Sequence, residues 1–143
     1  MQLIGESLNV ISTKIGRAFK ERDPKPIQEE ALFQKEKGMD VIDINLGPAK
    51  KDGHELMPWV VEVVQEVVTD IPLALDTSNI DAIEAALKVI KEVPGKSHIV
   101  NSIMCRPERY ERMVPMTAEA GADFVALMWG PEGLPRDENE RAA

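Results

Sequence analysis

The chain has 143 residues, 43% of them hydrophobic, and a formal net charge of −8 from 17 basic and 25 acidic side chains. That length holds one core and is too short for two ordinary domains, and an acidic chain with scattered lysines is a poor partner for a nucleic-acid backbone. No apolar run approaches a membrane span, "MQLIGESLNV" lacks a signal-peptide pattern, and the single Cys105 precludes an internal disulfide framework, so a cytoplasmic protein is expected.

The first predicted strand is the short segment "QLIGES", ending in Glu6. The connection after it, "SLNVISTKIGRAFKERD", is long and contains neither G-x-G-x-x-G nor a Walker-type loop. "PIQEEALFQKEKG" then reads as a helix, with Pro26 in its first turn and Gly38 beyond its end. In "MDVIDINLG" Val41, Ile42 and Ile44 make a buried strand that nonetheless carries Asp43 inside it and ends in Asn45. An unpaired buried charge costs several kcal/mol, so Asp43 requires a partner.

Helix "HELMPWVVEVVQEVVTD" places Leu56, Val60, Val63, Val64 and Val67 on one face, and Pro58 is tolerable near its start. "IPLALDTSN" is a third strand closed by Asp76; the helix after it carries Ile80, Ile83, Leu87 and Ile90 on one stripe with Ser78 as its N-cap. "SHIVNS" is a fourth strand ending in Asn101. Helix "PERYERMVPMTAEAG" presents Tyr110, Met113, Val114 and Thr117 and stops at Gly121, and its charges read as a solvated face. "ADFVALMWG" is a fifth strand whose closing Met128 and Trp129 are expected to pack in the core or at its rim. "DENERAA" begins a further helix, with Asp137 as cap and Glu140 completing a capping box.

Strands alternating with helices, with no hairpin signals between them, give an α/β fold with a parallel sheet, either an open doubly wound sheet or an eight-stranded barrel. The missing phosphate loop favours the barrel. In a barrel Glu6, Asp43, Asn45, Asp76 and Asn101 converge at the C-terminal ends of the strands, where active sites are built. Carboxylates accept hydrogen bonds and amides both donate and accept, so the implied ligand is flat, polar and rich in N–H groups. Taken singly, Asp76 also fits a helix cap and Asn101 an Asx turn. His54 and His98 belong to no metal-binding pattern, and Cys105 has no evident histidine partner, so no metal site is expected.

"GESLN", "DINLGPA", "LALDTSNIDAIEAAL", "IVNSI" and "GLPRDENER" resemble the pterin-binding methyltransferases that use methyltetrahydrofolate and a corrinoid protein, most of all the methyltetrahydrofolate:corrinoid/iron–sulfur protein methyltransferases. The folate domain of cobalamin-dependent methionine synthase and dihydropteroate synthase are more distant relatives. The resemblance implies that residues 1–143 are the N-terminal part, about five βα units, of a TIM (β/α)8 barrel, since a full barrel takes about 250 residues. It implies an enzyme that transfers a methyl group between N5 of methyltetrahydrofolate and the cobalt of a corrinoid (cobalamin) protein. Asp76 would bind the N–H edge of the pterin, Asn101 the same ring, and Glu6 would line the cup, with Asp43 and Asn45 in the shared "D-x-N-x-G" strand. Catalytic residues are expected in the remaining part of the barrel. The alternatives are a non-catalytic pterin-binding fragment or a dihydropteroate synthase-like condensation, although the first loop lacks the N-x-T-P-D-S-F pattern of the latter. Half a barrel exposes its edge strands, so a homodimer is also expected.

Overall fold

The computed structural model describes residues 1–142. Five strands, β1 (Ile4–Asn9), β2 (Val41–Gly47), β3 (Leu73–Thr77), β4 (Ile99–Met104) and β5 (Asp123–Leu127), alternate with helices. The helices are α1 (Thr13–Glu21), α2 (Pro24–Glu36), α3 (Gly53–Gln65), α4 (Ile80–Leu87), α5 (Pro107–Glu119) and α6 (Glu138–Ala142). The strands form one sheet in the order β1-β2-β3-β4-β5, every neighbouring pair parallel. A doubly wound sheet reverses direction at a switch point. Strands added strictly in sequence order instead match the N-terminal part of a barrel.

Strand residues alternate between two faces. Ile42, Ile44, Leu46, Leu73, Leu75 and Val100 pack against the helices, where Leu56, Met57, Val60, Val64, Ile83 and Ala86 are buried with them. The opposite face of the same strands carries Asp43, Asn45, Asp76 and Asn101. One face is thus the core, and the other, lined by these polar side chains, faces away from the helices.

The long first connection is a helix. Ser12 caps α1, its hydroxyl accepting from the Ile15 amide, and Arg22 closes it in the left-handed conformation. Ile15, Ala18 and Phe19 are buried on one stripe. Gly16 is required there, because a Cβ at this position would lie 2.3 Å from the Val10 carbonyl oxygen. The expected ends of two strands also move: β1 runs three residues past Glu6 to Asn9, and β4 runs past Asn101 to Met104.

Asn79 rather than Ser78 caps α4, its side-chain oxygen accepting from the amides of Asp81 and Ala82. Asp137 caps α6 as expected by accepting from Asn139 and Glu140, but Glu140 reaches back one residue further, to the Arg136 amide. Ala143, the last residue of that expected helix, lies outside the described residues. Met128 is 55% and Trp129 37% exposed, so both sit outside the core.

Candidate functional site

Asn45, Asp76 and Asn101 form one row across β2, β3 and β4, since Asn45 pairs with Asp76 and Asp76 with Asn101 in the strand register. Asp43 lies two residues before Asn45 on the same face, and its lateral neighbour on β3 is Ala74. That small side chain leaves the floor of the sheet low between β2 and β4. Across it the Asn101 amide nitrogen donates to the Asp43 carboxyl at 3.1 Å, joining two strands that are not themselves paired.

The second contact is between neighbours: the Asn45 side-chain amide donates to the Asp76 carboxylate. Asn45 has a fixed orientation, because its own carbonyl oxygen accepts from the Gly47 amide at 2.8 Å and so turns its NH2 toward Asp76. Asp76 is therefore no helix cap. The side-chain bond of Asn101 runs to a distant strand and not to a local turn.

Asp43 is 1% exposed. Burial, opposed by the Asn101 hydrogen bond and reinforced by the negative charges of Asp76 and Glu6, pushes its pKa up to about 7. Asp76 is raised in the same direction, chiefly by burial, again against an amide hydrogen bond and with Glu6 adding to the rise. Glu6 itself is exposed, and it joins the group through its charge rather than through a bond. The five expected residues therefore converge on one face, with Asp43 and Asp76 at the floor and Glu6 toward the open β1 side. Among the described residues each of the two aspartates bonds one side-chain amide and no other side-chain donor reaches it. Each retains acceptor capacity for a ligand.

The loops that set this geometry are tied to one another by residues the sequence reading did not single out. The Thr77 hydroxyl donates to the Gly47 carbonyl at 2.5 Å and accepts from the Asn79 amide, while Asn79 Nδ2 donates to the Ala49 carbonyl at 2.8 Å. The turns after β2 and β3 are thereby one unit. Gly53 belongs to it: a Cβ there would lie 2.8 Å from Asn79 Nδ2 and 2.9 Å from the Ala49 methyl.

The "RPERYER" stretch is not simply a solvated face. Arg106 Nε donates to the Gly130 carbonyl and Arg109 Nη1 to the Ser78 carbonyl, so both reach loops of neighbouring units. Arg112 bridges Asp81 and Glu84 on α4. Spacing by three on one helix was the available signal.

His98 has a structural place. Buried at the start of β4, its Nδ1 accepts from the Leu73 amide at 2.9 Å, which leaves Nε2 to donate to the Lys91 carbonyl at 3.0 Å. Gln65 holds the same Lys91 backbone from α3, accepting its N–H and donating to its carbonyl. Among the described residues no group of three or more His, Cys, Asp and Glu side chains is arranged to hold a metal ion, and no helix is long and apolar enough to cross a membrane.

A parallel sheet wound in sequence order, with a bowl of carboxylates and amides on its inner face, defines an α/β protein of barrel type with a polar inner face. Residues 5–143 match the model of the pterin binding enzymes, and the chain belongs to that family. It is 29% identical over 137 residues to a methylcorrinoid:tetrahydrofolate methyltransferase of Eubacterium limosum, a match covering 94% of this chain and 49% of the relative. The chain thus spans about half the length of the curated relative it matches.

Proposed function

We propose that this chain is the N-terminal part of a pterin-binding barrel and holds the pterin ring of tetrahydrofolate or methyltetrahydrofolate on Asp76, Asn101, Asp43, Asn45 and Glu6. The observation that carries this reading is the convergence of carboxylates and amides from four strands on one inner face, cross-linked by Asn101 to Asp43 and by Asn45 to Asp76. A reduced pterin presents a row of N–H donors beside ring acceptors, the complement of this set.

Asp76 is the anionic acceptor for the N–H edge in this reading, and Asn101 supplies an amide to the same ring. Asp43, whose pKa is pushed up to about 7, is uncharged in about half of the molecules at neutral pH. The floor can then lie beside Asp76 without placing two full negative charges against each other.

The reaction proposed for the assembled protein is methyl transfer between N5 of the folate and the cobalt of a corrinoid protein partner, in line with the relative's name. The corrinoid supplies the atom that takes or gives the methyl group. Residues of this chain bind and orient the pterin in advance, which lowers the entropic cost of bringing the two reactants together.

Calorimetric titration with tetrahydrofolate tests the binding, with Asp76→Ala as the control that should weaken it by about 10- to 100-fold. Wild-type binding that survives this substitution unchanged would contradict the assignment. Incubation with methyltetrahydrofolate and a reduced corrinoid protein tests the transfer, read as methyl–cobalt absorbance. Binding without that signal would place this chain as a pterin-holding unit alone.

A further inference from the structure

The two amide–carboxyl pairs of the polar face differ in how the amide is held. In the Asn45–Asp76 pair it is locked, because the Gly47 backbone N–H can only donate; it fixes Oδ1 and leaves Nδ2 for Asp76. In the Asn101–Asp43 pair Nδ2 donates to Asp43 Oδ2 at 3.1 Å, and among the described residues nothing holds the other end of the amide. Asn101 Oδ1 has no hydrogen-bond partner there, yet it is not among the buried polar atoms left unpaired, so it is open to a ligand. The orientation of Asn101 therefore rests on Asp43.

Asp43 is sealed from solvent and bonds no other side chain among the described residues. As a carboxylate it only accepts, which requires Nδ2 to face it and leaves Oδ1 for the ligand. As an acid it carries an O–H, and a buried donor without an acceptor is costly. Half a turn of the Asn101 amide about its last side-chain bond brings Oδ1 to that O–H and presents Nδ2 to the ligand instead. The charges acting on Asp43 are Asp76 from β3 and Glu6 from β1, both negative and both favouring the acid; the Asn101 bond from β4 favours the carboxylate. With burial they bring the two forms to comparable populations near pH 7.

We infer that Asp43 is a positioning residue that sets which end of the Asn101 amide meets the ligand: ionised, it turns the carbonyl oxygen outward, and protonated, it turns the NH2 outward. A ligand edge of N–H donors pairs with the outward carbonyl and so favours the carboxylate. Binding such an edge releases the Asp43 proton to solvent, whereas an edge of ring acceptors favours the acid and takes a proton up. Asp43 thus selects between ligand edges through Asn101. The inference deepens the pterin reading and rests on it for the identity of the ligand, while the turn of the amide is a property of the free chain, so the two can fail separately.

Heteronuclear NMR of the ligand-free chain tests the turn. The Asn101 side-chain amide resonances, identified as those lost in Asn101→Ala, should shift with pH around a midpoint of about 7. Those of Asn45, held by Gly47, should move less, and Asp43→Asn should remove the Asn101 shift. An Asn101 amide that does not titrate in the wild type, or that still titrates in Asp43→Asn, would overturn the inference whatever the ligand. Calorimetric titration with tetrahydrofolate, in phosphate and in Tris buffer near pH 7, then counts protons. The wild type should release up to about 0.5 proton per ligand bound. It should bind about tenfold more tightly at about pH 8 than at about pH 6, the ratio of the ionised fractions of a group titrating near 7. Asp43→Asn should show neither effect. Proton uptake by the wild type, or equal affinity at both pH values, would overturn the inference. Absence of any binding would contradict the pterin reading instead, and the amide titration would still decide the turn.

Discussion

Replacing Asp43 by asparagine should make the protein more stable at alkaline pH, although it removes a residue assigned to the site. In the unfolded chain this carboxyl ionises near 3.8, and in the folded protein near 7. Between those values unfolding releases a proton, so stability falls as pH rises, by at most ~1.4 kcal/mol per pH unit for this one group. Below the lower value both states are protonated and the group contributes its full stability; above the upper value that contribution is gone. Across the whole window the loss is on the order of 4 kcal/mol, and relaxation around the ionised group reduces it. Asp76, raised in the same direction, adds to the slope.

Asp43→Asn keeps an acceptor for the Asn101 amide that donates at 3.1 Å and removes the ionisation. Urea unfolding followed by circular dichroism, at pH values from about 4 to 8, should give nearly coincident curves for variant and wild type at the acid end. At the alkaline end the variant should be the more stable by roughly 2–4 kcal/mol. Parallel pH profiles, or a variant that loses stability at pH 8, would show that Asp43 ionises like a solvent-exposed carboxyl and would refute the account of the bowl.

Other substitutions address the remaining parts of the structure. Asp76→Ala should lower tetrahydrofolate affinity by about 10- to 100-fold, the range for losing a hydrogen bond to a charged group. It should leave the melting temperature equal or higher, and calorimetry and thermal melts separate the two effects. His98→Phe strips the buried Leu73 amide of its partner and leaves the Lys91 carbonyl with the Gln65 amide alone. It should cost about 1–3 kcal/mol in urea unfolding, and a loss under about 0.5 kcal/mol would mean the Leu73 amide finds another partner. Gly5→Ala places a Cβ 2.0 Å from Gln34 Oε1 and 2.9 Å from Met39 Cγ. The overpacking should cost about 1–3 kcal/mol, and adding Gln34→Ala should recover part of that loss if the clash is its cause.

The alternation of elements, and hence the parallel sheet, was legible because apolar runs such as "VIDI" and "LALD" are punctuated by turn residues at regular intervals. The first helix was less visible. Its buried stripe is only Ile15, Ala18 and Phe19, short enough to pass for a loop, although Ser12 and the i, i+3, i+4 spacing were signals. Asp43 declared itself by sitting among apolar neighbours where a lone charge is expensive. The arginines of α5 did not, because whether a surface cation meets solvent or a neighbouring loop depends on where that loop runs.

By itself the sequence determined which residues lie on each face of a strand, since alternation is a local property of extended backbone. From that follow a polar inner face and an apolar outer one. Only the tertiary structure decided the register that sets Asn45, Asp76 and Asn101 in one row and lets Asn101 reach over Ala74 to Asp43. It also decided that burial pushes the Asp43 pKa up to about 7. Both depend on distances between strands some thirty or more residues apart in the chain, and those distances arise from how the helices pack the sheet rather than from any one segment.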